Sequence, residues 1–109
     1  MRSYADEIKK RVKENKENET VNGFVYLIKI KDKNKYKIGL TSNLKQRISS
    51  LSNQNPFEIK LITAIENNDI YKLESELHKK FADKNIKGEW FELSQKDVDY
   101  IKRIEDDIA

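Results

Sequence analysis

Apolar residues fall along this chain in two periods, and the changes of period predict its elements. Tyr4, Ala5, Ile8 and Val12 share one face at helical spacing. The stripe fades after Val12 into a polar run, so a helix over 3–19 that frays into a linker is expected. Phe24, Val25, Tyr26, Leu27 and Ile28 are then continuously apolar, which predicts a strand over 23–31 covered on both faces. Asp32 to Lys35 reads as a turn and Tyr36 to Thr41 as a second strand, making a hairpin. Asn43 with Gln46 three residues later resembles a capping box, and Leu44, Ile48 and Leu51 form the inward face of the helix it opens. Pro56 disfavours helix at the residue before it and ends that segment.

The second half repeats the logic. Over 59–65 the alternation places Ile59, Leu61 and Thr63 on one strand face and Lys60, Ile62 and Ala64 on the other. Asp69 caps a helix whose apolar face is Ile70, Leu73, Leu77 and Phe81. Gly88 to Leu93 reads as a short strand or turn. Ser94 with Asp97 caps a last helix with Val98, Ile101, Ile104 and Ile108 inside. Strands joined by a short turn are antiparallel. The expected fold class is therefore α+β, a small, mostly antiparallel three-stranded sheet flanked by helices, with an extra N-terminal helix. The expected division is residues 1–20 as helix and linker and 21–109 as one domain.

Composition narrows the function. The chain has 109 residues, no cysteine and one histidine, His78. Disulfides, thiolate zinc sites and cysteine nucleophiles are excluded. No apolar run approaches the ~20 residues of a membrane helix, so an intracellular, cytoplasmic protein with no membrane partner is expected. Net charge is +3, but residues 21–66 hold eight basic against three acidic residues. Such a basic middle suits a polyanion such as nucleic acid, or is simply a solvated lysine-rich face.

Several residues in and beside this stretch are chemically unusual. Glu74 and His78 fall on the core-facing stripe of their helix, where a desolvated polar group needs a partner. Arg47 lies on the inward flank of the helix after the hairpin. Tyr26 and Lys37 are an odd number of residues apart, so they share a sheet face only if the loop holds an even number of residues or a bulge shifts the register. If they do, Gly39 shares that face, and its missing side chain leaves room for a ligand to approach the sheet.

Together these residues resemble the GIY-YIG nuclease superfamily, in particular the phage- and virus-associated branch with the signature VY…YKIGxT…R…E..LH..F…GEWF. The resemblance covers residues 23–93. Phe24-Val25-Tyr26 stands for the first motif, Lys37-Ile38-Gly39 for the second, Arg47 for the helix arginine and Glu74 for the metal-binding glutamate; Gly88 to Phe91 is the GEWF element. The chain departs from the pattern at Phe24, where a glycine belongs, and at Lys37, where a tyrosine belongs.

The resemblance implies a metal-dependent endonuclease that hydrolyses DNA phosphodiester bonds with one Mg²⁺ or Mn²⁺. Glu74 would bind the metal, as a hard oxygen ligand. Arg47 would stabilise the phosphate, and Tyr26 would act as general base. Lys37 would supply the cation a tyrosine base needs, and His78 would orient the site or relay a proton. Lys35, Thr41, Asn43, Lys45 and Trp90 would meet the nucleic acid. DNA is the expected partner, and the chain is expected to act as a monomer or transient dimer. Other readings stand beside these: a core role for Tyr26, an ion pair for Arg47 with Glu74, a hydrogen-bonded core histidine, a core tryptophan, and Glu89 as a surface or loop acid. At the level of the whole chain, the alternative is a catalytically silent DNA- or partner-binding module.

Overall fold

A computed structural model describes residues 20–108. The expected helix over 3–19 lies outside the described residues, as does the side chain of Ile108. The elements are β1 (Gly23–Ile30), β2 (Lys35–Thr41), α1 (Leu44–Gln54), β3 (Ile59–Asn67), α2 (Ile70–Lys80), β4 (Asn85–Lys87), β5 (Trp90–Glu92) and α3 (Gln95–Ile108).

The five strands form one sheet in the order β3-β1-β2-β5-β4, and every neighbouring pair is antiparallel. The α+β class holds, but among the described residues the sheet has five strands rather than three. The two extra strands are a three-residue hairpin, β4–β5, turned at Gly88 with φ of +57°. It adds to the sheet through Lys35, Tyr36 and Lys37 of β2, opposite Glu92, Phe91 and Trp90. Strands this short carry no period of their own. Pairing with β2 extends the sheet where local sequence predicts only a strand or turn.

β1 is covered on both faces, as its apolar run predicts. Val25 and Leu27 face a core built with Tyr36, Ile38, Phe91 and the buried side chains of α2 and α3. Tyr26 and Ile28 face a second, smaller core closed by Leu51, Ile48 and Leu44 of α1. Among the described residues, α1 thus covers one side of the sheet and the pair α2 and α3 the other.

The caps form where the sequence places them. The Asn43 side chain accepts from the Gln46 amide at 3.1 Å and that of Asp69 from Lys72 at 3.3 Å. Ser94 and Asp97 exchange backbone-to-side-chain bonds of 3.0 and 3.2 Å. Burial alone would push the Asp97 carboxyl up, but bonds from Lys84 and from Ser94 outweigh it and hold the group below its ordinary range.

Strict alternation fails in β3. Leu27 pairs with Thr63 and Ile28 with Leu61, so Ile62 is an extra residue in a bulge. Beyond it the faces swap. Ala64 joins Ile59 against Tyr26, and Ile62 packs with the opposite core.

Candidate functional site

The turn between β1 and β2 decides the site. Its loop, residues 31–34, is even in length, with Asp32 in the left-handed region at φ of +65°. The resulting register sets Tyr26 opposite Gly39 and Ile28 opposite Lys37. Tyr26, Gly39 and Lys37 therefore share one face, the face under α1.

Gly39 leaves no room for a ligand there. A Cβ at Gly39 would lie 2.5 Å from Tyr26 Cζ and 3.0 Å from Cε1, and nearer still to the hydroxyl. The tyrosine ring itself fills the space over the glycine. The expectation of an open approach is corrected: the glycine seats the protein's own phenol, which is 2 % exposed.

The charges around that phenol come from three elements. Burial pushes the Tyr26 hydroxyl well above the ordinary tyrosine range; the Glu89 carboxylate raises it further, the Arg47 guanidinium lowers it, and Glu74 raises it. At neutral pH Tyr26 is thus a neutral phenol. Arg47 reaches it from α1, in the layer over its own face. Glu74 belongs to α2, whose Ile70 and Leu77 pack in the opposite core, and it is 0 % exposed. Arg47 and Glu74 thus belong to helices that cover opposite faces of the sheet, and the charges of both act on Tyr26.

Lys37 is committed elsewhere. Its Nζ pairs with Glu89 at 3.1 Å and lies 5.9 Å from the centroid of the Trp90 ring. Glu89, read in sequence as a surface or loop acid, is half-buried and is the nearest thing in this site to an electrostatic regulator of Tyr26. Its carbonyl accepts from the Ile38 amide at 3.1 Å, which ties it to β2. The GEW turn gives no local sign of that docking. The Nε2–H of His78 donates to the carbonyl of Ile38 at 2.9 Å, and its ring meets Phe91 edge-on at 5.0 Å. His78 is therefore bound to the backbone next to Gly39, anchoring α2 to β2.

An open polar cleft lies at the start of α1. Thr41, Ser42, Asn43, Gln46, Arg47 and Ser50 line a hollow of about 290 Å³. Thr41 Oγ1 accepts from the Asn43 amide at 3.0 Å, so both residues shape the loop as well as line it. Lys45 is exposed on the adjoining helix face and lines a neighbouring shallow hollow with Asn43 and Gln46. Lys35 and Trp90 lie apart from this cleft, by a hollow at the other end of α1. Arg47 joins inside to outside: it lines the cleft, and its charge acts on buried Tyr26.

A divalent cation fits the donor type at Glu74, a hard carboxylate oxygen. Among the described residues no three His, Asp or Glu side chains gather into a ligand set. A cation there would therefore be held by Glu74, waters and phosphate oxygens, as Mg²⁺ commonly is. No helix among the described residues is long and apolar enough to cross a membrane.

Among known families, the T5orf172 domain matches residues 23–105. It is a phage-associated domain of the nuclease-like kind. Neither a curated protein nor a solved structure matches the chain significantly. No GIY-YIG family matches either, and the assignment of residues 23–93 to that superfamily is corrected. The motif words that suggested it are single residues at loose spacings, which a hairpin followed by a capped helix can supply, and two of their positions are Phe24 and Lys37. The match over residues 23–105 shows that the chain belongs to the T5orf172 domain family.

Proposed function

We propose that this protein binds nucleic acid at the Arg47 cleft and hydrolyses a phosphodiester there with a divalent cation. The observation that carries the reading is the position of Arg47, which is open to the cleft and electrostatically coupled to the buried Tyr26. A guanidinium fork pairs with two phosphate oxygens and stabilises charge that develops on them. Exposed Lys45 and the polar side chains of Asn43 and Gln46 would hold the strand by its backbone, giving salt-sensitive, sequence-independent affinity.

Glu74 would hold the cation, whose charge stabilises the leaving oxygen. Tyr26 takes the proton of the attacking water only as phenolate, and its surroundings set how often that form exists. Replacing Glu89 by glutamine removes the first charge that raises the phenol and releases Lys37 from its pair. The loss of that charge lowers the Tyr26 pKa. In Glu89→Gln the cleavage rate at fixed pH should therefore rise, and its alkaline limb should move to lower pH. A pH–rate profile of plasmid nicking from pH 7 to 10 checks this.

The reading is tested by nicking of supercoiled plasmid in Mg²⁺ or Mn²⁺ and in chelator. The folded protein should nick only with the cation, and Glu74→Gln, with thermal unfolding as the fold control, should lose at least ~100-fold. One observation favours a second reading, a silent binding module: Tyr26 and Glu74 are both enclosed. Salt-dependent DNA binding with no cleavage under any cation would select it.

A further inference from the structure

We infer that the hollow at the far end of α1 is a stacking site for an unpaired nucleobase. The hollow has a volume of about 270 Å³ and is walled by Pro56, Phe57, Ile86 and Trp90, with Lys35 and Lys87 at its rim. Phe57 is 58 % exposed and Ile86 48 % exposed, so both large side chains present apolar surface to water. Trp90 is half-buried, and Lys37 stands over its ring.

The lining supplies two lysines and no acid. Apolar and aromatic walls beside lysines are what a nucleic-acid strand requires, since each base offers a face for stacking and each phosphate a charge. A second copy of the same hollow would bring the same lysines and no complementary acid. The position also suits a strand. Arg47 stands one turn into α1 and Asn55, which lines the hollow, caps its far end, so the two lie roughly 12 Å apart along the helix axis. A strand held by phosphate at Arg47 would pass along α1 and reach the hollow a few nucleotides away. The inference rests on the nucleic-acid reading above and adds a preference for single-stranded or frayed substrate.

Trp90 is the only tryptophan in the chain, so its fluorescence reports on the hollow directly. The intact protein is titrated at low salt with a labelled ten-nucleotide oligo-dT, an abasic strand of equal length and a duplex, reading anisotropy and tryptophan emission. Oligo-dT should bind and quench Trp90, whereas the abasic strand should bind more weakly and without quenching. Phe57→Ala, a change at an exposed site, should weaken oligo-dT about tenfold, the scale of one lost stacking contact, and leave duplex affinity within twofold. Equal binding of both single strands, no quenching and no effect of Phe57→Ala would overturn the stacking site while leaving nucleic-acid binding intact. A change from dimer to monomer in Phe57→Ala by sedimentation would overturn it in favour of a copy-to-copy interface. If none of the three nucleic acids binds, the nucleic-acid reading itself falls and the stacking site with it.

Discussion

Alanine at Gly39 is expected to unseat Tyr26. The added Cβ would lie 2.5 Å from Tyr26 Cζ, far inside any real carbon–carbon contact. The atom it meets is no flexible chain end. It belongs to a ring that is 2 % exposed, packed with Ile28 and Leu51 under α1. The ring can move only by opening that core, and overpacking of this kind costs about 1–3 kcal/mol. Alanine recovers part of this, since glycine in a strand interior costs roughly 0.5–1 kcal/mol relative to alanine. Net destabilisation of ~1–2 kcal/mol should appear in urea unfolding. Cleavage should fall about 100-fold, because a group misplaced by an ångström loses its alignment. In a Tyr26→Ala background the same Gly39→Ala change should cost far less, because the clashing ring is gone. Equal costs in both backgrounds would mean that the ring does not rest on Gly39.

Replacing Arg47 with alanine separates chemistry from stability. Arg47 lies on the half-buried flank of α1, and alanine is the better helix former there. Stability should therefore change by less than ~1 kcal/mol, while cleavage should fall about 10²- to 10³-fold, the scale of losing one group that stabilises transition-state charge. Lysine should not restore it, since a point charge lacks the planar fork. A second consequence follows from the sign of the Arg47 effect. Its charge lowers the Tyr26 pKa, so its removal leaves less phenolate at any pH and moves the alkaline limb upward. Arg47→Ala and Glu89→Gln should thus shift the pH profile in opposite directions.

The parts of this fold that the sequence makes legible are those with local signals. Asn43 with Gln46, Asp69, and Ser94 with Asp97 announce helix starts because each cap closes within three residues. The five-residue apolar run of β1 announces a strand buried on both faces. The parity of the hairpin loop could be stated as a condition, and the four-residue turn meets it.

What escaped depends on distant contacts. The β4–β5 hairpin exists through the edge of β2. The bulge at Ile62 has no residue that marks it, yet it reverses the faces of β3. Glu89 enters the site because β5 aligns beside Lys37, a pairing more than fifty residues apart in the chain. Gly39 illustrates the same limit. Its place on the Tyr26 face could be anticipated, but its space is taken by a side chain on another strand. The family is not legible from the motifs either, because short words at elastic spacings do not distinguish one domain family from another.

In the proposed reaction, buried Tyr26 takes the proton of the attacking water. Tyr26→Phe removes only its hydroxyl and keeps the ring that rests on Gly39. The rate of Mg²⁺-dependent plasmid nicking by this variant at pH 8 is the most direct test. A fall of at least ~100-fold, with DNA affinity within twofold of the unmodified protein, is the expected result. Nicking at the unmodified rate would contradict the claim.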